Sequence, residues 1–201
     1  MEAKLKFIYA VMGAGKTAQM INAYEIYKRK GLNPIIIKPA TDDREGSFNG
    51  WGKTASRLMR DKPVDVYHFK KIDKELPTLA YGAIFVDEAQ FLTRDDVVYL
   101  ASIVDKENIN VLTYGLKTDI NGNLFEGSSA LLALADETTE MESLCEIPGC
   151  DNQAQLHLRF VDGKADTNTD AVAIEKGNVT YKSVCRKCWS KFKNNKNWWN
   201  L

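Results

Sequence analysis

Eight consecutive residues carry the clearest chemistry in this chain: Ala10-Val11-Met12-Gly13-Ala14-Gly15-Lys16-Thr17. Glycines in such a turn let backbone N–H groups curl around phosphate oxygens with no Cβ in the way. A helix starting near Lys16 would aim its free N–H groups and the positive end of its dipole at the same anion. In the phosphate-loop pattern G-x-x-x-x-G-K-[ST] the lysine reaches the β- and γ-phosphates and the hydroxyl ligates Mg²⁺. Lys16 and Thr17 hold those positions, and Ala10 stands where the pattern has its first glycine. A Gly-Lys-Thr string alone is common; a strand before it and a helix after it give it meaning.

Asp87 and Glu88 form a second group, closing the apolar run Ile84-Phe85-Val86. An acid at the carboxyl end of a strand beside a phosphate loop can hold Mg²⁺ directly or through water. Glu88 is then near the same phosphates, where a carboxylate can act as general base. Without the phosphate loop the pair would read as two solvated acids at a strand end. The four cysteines, Cys145, Cys150, Cys185 and Cys188, form the third group. Two pairs flanking a hairpin-like insertion fit a Cys₄ zinc ribbon, a closed tetrahedral site and therefore structural. Unrelated buried or free thiols are the alternative.

These groups need elements to hold them. Residues 4–9 read as a buried first strand. Residues 17–30 read as a helix with Met20, Ile21, Tyr24 and Tyr27 on one face and Gly31 at its C-terminal cap. Ile35-Ile36-Ile37 is a second buried strand, which makes a βαβ unit of a parallel sheet covered on both faces. Residues 38–62 read as a long exposed loop whose noteworthy polar residues are Asp42, Arg44 and Arg57. Residues 64–69 and 84–86 are further strands. Thr93 caps a helix running to about Asp105 with Val97, Leu100, Ala101 and Val104 on its apolar face. Residues 110–114 are the next strand, and Ser128 or Ser129 starts a short helix through Ala135. Beyond about residue 140, residues 155–161 and 171–174 read as strands around a turn at Asp162-Gly163. A last helix would dock Trp189 and Phe192 on the cysteine module, with a frayed end.

At 201 residues there is room for one large domain with a small appendage. The boundaries expected are 1–140 for a nucleotide-binding α/β domain, 141–193 for a zinc-binding module and 194–201 for a flexible tail. Basic and acidic residues balance at 27 each, so global charge argues for neither nucleic acid nor a membrane surface. The first apolar run is far too short to span a bilayer, and a cytoplasmic protein with reduced cysteines is expected. Two other classes remain open on these residues: a nucleic-acid-dependent ATPase with a zinc ribbon, and a non-catalytic nucleotide-binding module. The balanced charge argues against the first, and intact Lys16, Asp87 and Glu88 against the second.

Several further motifs stand in order along the chain. They are Val86-Asp87-Glu88-Ala89-Gln90-Phe91-Leu92, Tyr114-Gly115-Leu116-Lys117-Thr118-Asp119, Phe125-Glu126-Gly127-Ser128, residues 132–136, and Tyr181-Lys182-Ser183-Val184-Cys185-Arg186-Lys187-Cys188. Together with the phosphate loop they resemble the type II thymidine kinase family, in its enterobacterial and bacteriophage branch, across residues 6–189. In that branch an alanine also occupies the place of Ala10. The resemblance implies a P-loop parallel sheet flanked by helices with a small C-terminal zinc-ribbon or lasso domain. It implies transfer of the ATP γ-phosphoryl group to the 5′-hydroxyl of thymidine or deoxyuridine, in pyrimidine deoxynucleotide salvage. Glu88 falls on the family's catalytic base. Ala10 through Thr17, Asp87 with Gln90, and the Asp42-x-Arg44 element fall on its ATP, magnesium and phosphate contacts, and Arg57 on a matching Ser-Arg stretch. The base pocket falls on Met12, Phe91, Leu116, Ile120, Phe125, Val172, Ile174 and Tyr181, and structural zinc on Cys145, Cys150, Cys185 and Cys188. A homotetramer inhibited by dTTP is also implied. Four positions depart from close relatives: Cys188 stands where they have histidine, the Cys145–Cys150 knuckle is longer, His157 occupies a pocket position that is often threonine, and Ile120 one that is often aromatic. The last two bear on how strictly thymidine is preferred.

Overall fold

The structure is a computed structural model and describes residues 2–40, 50–55, 63–76, 80–162, 164–165 and 179–194. Strands β1 (Leu5–Tyr9), β2 (Pro34–Pro39), β3 (Gly50–Thr54), β4 (Val64–Phe69), β5 (Ala83–Val86), β6 (Asn110–Gly115) and β7 (Glu137–Glu140) form one sheet in the order β3-β4-β2-β5-β6-β1-β7. All pairs are parallel except β3 with β4. Helices α1 (Lys16–Arg29), α2 (Ile72–Glu75), α3 (Arg94–Glu107) and α4 (Glu126–Leu134) connect these strands. No helix among the described residues is long and apolar enough to cross a membrane.

The unbroken apolar strands are explained by burial on both faces. Leu5, Phe7, Ile35, Ile37, Ile84, Val86 and Val111 share one core with Val97, Leu100, Ile103 and Val104 of α3 and Ala130 and Leu131 of α4. Ile8, Ile36, Phe85 and Leu112 point the other way and pack with Met20, Tyr24 and Tyr27 of α1. The Tyr24 and Tyr27 rings both meet the Phe85 ring edge-on. The expected helix face is therefore the buried one. Thr93 and Asp96 form a reciprocal capping box at the start of α3. Gly31 follows the last turn of α1 with φ +74°, as a C-terminal glycine should.

The first βαβ unit has both strands in one sheet, although β5 and β6 lie between them. Three elements differ from expectation. The loop expected over 38–62 contains edge strand β3, whose Gly-Trp-Gly-Lys-Thr has no apolar period to announce it. Strand β7, Glu-Thr-Thr-Glu, is equally polar; it is an edge strand tied to β1 by ion pairs from Lys4 and Lys6 to Glu137. Helix α4 starts at Glu126, two residues before the expected serine, because Ser128 is buried and bonded to the Leu116 carbonyl rather than capping.

The C-terminal part forms a second, antiparallel sheet in the order β10-β8-β9, from β8 (Leu156–Val161), β9 (Lys164–Ala165) and β10 (Val179–Val184). Helix α5 (Arg186–Asn194) follows. The described partners of β8 are thus β9 and β10, and the strand expected over 171–174 lies outside the described residues. Asp162, at the expected turn, is left-handed with φ +49°. This part has its own core: Cys145, Ile147, Leu158, Phe160, Val184, Cys185, Cys188 and Phe192, with Cys150, Leu156 and Trp189 packed against it. Phe192 and Trp189 dock as expected.

Candidate active site

The phosphate loop leaves β1, which lies between β6 and edge strand β7, at the carboxyl edge of the large sheet, where α/β sheets bind ligands. The Ala10 N–H still donates to the Gly115 carbonyl at 3.3 Å, so the loop begins in register with β6. Gly13 and Gly15 then take φ +77° and +87°, left-handed angles that an L side chain resists, and α1 starts at Lys16. The Lys16 ammonium curls onto the loop, donating to the Val11 carbonyl at 2.9 Å and the Ala10 carbonyl at 3.4 Å. Burial lowers its pKa below the ordinary lysine value, against the opposing pull of Glu88 and Asp87.

Strand β5 brings Asp87 and Glu88 to the same edge. The Asp87 N–H donates to the Ile37 carbonyl at 2.9 Å, the last ladder bond before the chain turns. Glu88 turns it with φ +52° and ψ +40°, a left-handed conformation that costs a non-glycine residue about 1–2 kcal/mol. Such strain persists where the surroundings over-determine it, commonly at functional sites. Asp87 is only 5% exposed. Burial, and then the neighbouring charge of Glu88, pushes its carboxyl up to about 7, while Lys38 and Lys16 pull it down. Glu88 is half-buried, and its Oε2 accepts from Gln90 Nε2 at 2.5 Å.

A cavity of about 480 Å³ joins these groups. Its walls include Met12, Gly13, Gly15, Lys16 and Thr17 from the loop and helix start, Asp87 and Glu88 just after β5, and Leu116 after β6. That volume suits a small-molecule ligand. Lys38, Lys53, Thr54, Ala55 and His68 line it too. No local signal marks these five: Lys38 is the penultimate residue of β2, and the others reach the cavity only because β3 and β4 pair beside it.

The other expected residues divide into three sets. Gln90 is 2% exposed and spans the site, because its Oε1 also accepts from Leu116 N at 3.0 Å. Phe91, Phe125, Ile120 and Tyr181 are not among the cavity-lining residues. The Phe91 and Phe125 rings pair edge-on at 5.9 Å between centroids, and the Ile120 carbonyl accepts from the Trp189 indole N–H at 3.3 Å. Asp42, Arg44, Arg57, Val172 and Ile174 lie outside the described residues.

The four cysteine sulfurs lie within 4.8 Å of one another. A tetrahedron with Zn–S bonds of about 2.3 Å requires sulfurs about 3.8 Å apart. Cys150 is 3.8 Å from Cys185 and 3.7 Å from Cys188. The Cys188 N–H and the Asn152 side-chain amide each approach a sulfur at 3.4 Å, the outer-shell donors a thiolate needs. Burial pushes the Cys145 and Cys188 thiols above their ordinary value. Four such sulfurs fit a dication that would hold them ionised.

A family model described as thymidine kinase matches residues 3–189. The thymidine kinase of Shewanella oneidensis is 37% identical over 196 residues, covering 94% of this chain and 98% of that one. That of Pasteurella multocida is 38% identical over 190 residues, 92% of this chain and 95% of the relative. That of Enterobacteria phage T4 is 37% identical over 194 residues, 94% of this chain and 96% of the phage protein.

Proposed function

This chain belongs to the thymidine kinase family, and we propose from that premise that it transfers the γ-phosphoryl group of ATP to the 5′-hydroxyl of thymidine or deoxyuridine. The product would be the nucleoside 5′-monophosphate of deoxynucleotide salvage, and the enzyme an ATP:thymidine 5′-phosphotransferase. The observation that carries the reading is one cavity shared by the phosphate loop, Lys16, Thr17 and the Asp87-Glu88 pair.

Phosphoryl transfer asks a protein for positioning and charge stabilisation. The amides of Gly13 through Thr17 and the Lys16 ammonium hold the triphosphate; its oxygens are stronger acceptors than the two carbonyls Lys16 touches. Glu88 takes the proton of the 5′-hydroxyl and orients that oxygen for in-line attack, as the γ-phosphorus–oxygen bond to ADP breaks. Thr17 and Asp87 would hold Mg²⁺, which supplies positive charge to the transferring group; both line the cavity. Met12, Phe91, Leu116, Ile120, Phe125, Val172, Ile174 and Tyr181 form the base pocket of this reading, and Asp42, Arg44 and Arg57 add polar contacts.

The reading divides the chain into a nucleotide-binding domain, 1–140, and a lasso domain, 141–193, supported by the separate sheet and core around the cysteines. Zn²⁺ held by Cys145, Cys150, Cys185 and Cys188 would be structural. A cytoplasmic homotetramer inhibited by dTTP completes the proposal on family resemblance alone. A phosphorylation assay with labelled ATP across thymidine, deoxyuridine and deoxycytidine tests it, alongside Glu88→Gln. Thymidine turnover that drops about 10²–10⁴-fold in the variant, with thymidine still bound, is expected of a general base. No nucleoside product from the native chain, or near-native turnover in the variant, would overturn the proposal or the role of Glu88 respectively.

A further inference from the structure

Met12 has both of its backbone polar groups taken by side chains of the C-terminal sheet. Its N–H donates to Nε2 of His157, on β8, at 2.9 Å. Its carbonyl accepts from Oγ of Ser183, on β10, at 2.8 Å. His157 and Ser183 stand directly opposite each other in the β8–β10 ladder, so one cross-strand pair grips one residue of the phosphate loop. Both side chains are buried, at 3% and 2% exposure. Ser183 is fixed in turn: its N–H donates to the Glu146 carboxylate and its carbonyl accepts from the Glu146 N–H at 2.9 Å. Glu146 adjoins Cys145, and Ser183 is two residues from Cys185, so the grip is built next to the cysteine cluster.

Met12 lies between buried Val11 and left-handed Gly13, where the loop begins to curl. Fixing both peptide groups of residue 12 sets the direction in which the following amides point. A loop held this way loses less freedom when an anion settles on it. Because Nε2 accepts, the ring proton sits on Nδ1 and the imidazole is neutral. Burial, reinforced by the positive charge of Lys16, holds its pKa at about 4, which keeps that acceptor available at neutral pH.

We propose that His157 is a positioning residue for the phosphate loop, through which the cysteine-tied sheet sets the affinity for ATP. The proposal rests on the kinase reading for the identity of the anion. Removing the acceptor leaves a half-buried N–H without its partner. The expected effect is a loss of about 5- to 30-fold in nucleotide affinity, and a smaller one where another acceptor fits.

The test compares H157L, H157Q and S183A with the native, metal-loaded chain. The amide oxygen of glutamine can stand close to where Nε2 stands; leucine offers no acceptor. Binding of a fluorescent ATP analogue, KM for ATP, KM for thymidine, kcat, bound zinc and Tm are measured together. The expected pattern is an ATP affinity about 5- to 30-fold weaker in H157L and within about 3-fold of native in H157Q, with any change in thymidine KM smaller than the loss of ATP affinity and zinc retained. Native ATP affinity in H157L, equal losses in H157L and H157Q, or a change confined to thymidine would each overturn it. Should H157L fail to fold, S183A decides: a weakened ATP affinity supports the grip, and a native value overturns it. The ATP-analogue titration needs no turnover, so absent nucleoside phosphorylation would defeat the kinase reading while still leaving this inference decided.

Discussion

Gln90 ties Glu88 to the far wall of the cavity: its Nε2 donates to Glu88 Oε2 at 2.5 Å while its Oε1 accepts from the Leu116 N–H at 3.0 Å. The amide is held at both ends, so the carboxylate it touches has little freedom to swing. A general base must stay within hydrogen-bond reach of the proton it removes. Misplacement of about 1 Å at a reacting group can cost ~10²-fold. Gln90→Leu should therefore lower kcat by roughly 10- to 100-fold, a larger effect than any on ATP binding. Steady-state kinetics with an ATP-binding titration check this; a native kcat would show that Glu88 needs no such tether.

Gly115 makes that tether possible. A Cβ there would lie 2.9 Å from both Gln90 N and Gln90 Oε1, closer than side-chain atoms tolerate. Gly115→Ala must push the 3₁₀ turn Ala89–Phe91 away from β6. Overpacking of this kind typically costs ~1–3 kcal/mol. The variant should melt lower and turn over more slowly, the second effect matching Gln90→Leu in direction. A Tm and kcat both unchanged would mean that the turn accommodates a methyl group without moving Gln90.

Asp87 is stabilising when protonated and costly when charged. Its folded value, about 7, lies above the ordinary carboxyl value of 3.8. The folded state therefore holds a proton that the unfolded chain has released between those values. The resulting stability is fully present below the unfolded value and is lost as pH rises through about 7. Asp87→Asn removes the buried charge. The nucleotide-free variant should be more stable than native at pH 8, by an amount on the order of 1–3 kcal/mol, and should show a flatter Tm profile from pH 5 to 8. It should also lose turnover, a trade of function for stability seen when a strained site is relaxed. A lower Tm than native at pH 8 would contradict the assigned cause.

Much of this was readable from residue order, and the reason is physical. Ile35-Ile36-Ile37 and Ile84-Phe85-Val86 are apolar at every position because both faces are covered, so composition alone marks them as central strands. The phosphate loop and the Asp87-Glu88 pair are contiguous stretches, and their chemistry is local. Edge strands β3 and β7 carry no such mark: Gly50–Thr54 and Glu137–Glu140 are strands because a neighbour offers a ladder. The grip on Met12 joins residues 145 and 171 positions apart, and nothing near Met12 announces it. His157 stood out only as an unusual residue at a pocket position, and its bond runs to a main-chain N–H. Long-range contacts of that kind depend on how two sheets meet, which periodicity does not encode.

Metal removal is the broadest test, because it acts on the sheet that reaches the loop. Among the described residues the core around β8, β10 and α5 has eight buried members, three of them cysteines, and a small core of this kind is commonly stapled by a metal. Binding free energy of a structural zinc is folding free energy for such a module. Dialysis against a chelator, with zinc quantified, should raise amide exchange across 141–193 first, while β1, β5 and β6 stay protected by the larger cores. Thymidine binding should vanish at this stage. ATP affinity should weaken as well, because Ser183 and His157 can no longer hold Met12. Re-adding zinc should restore both together. Full thymidine affinity after verified metal loss would show that the cysteine module is dispensable to the site, and a weakened thymidine affinity with unchanged ATP affinity would confine its influence to the nucleoside.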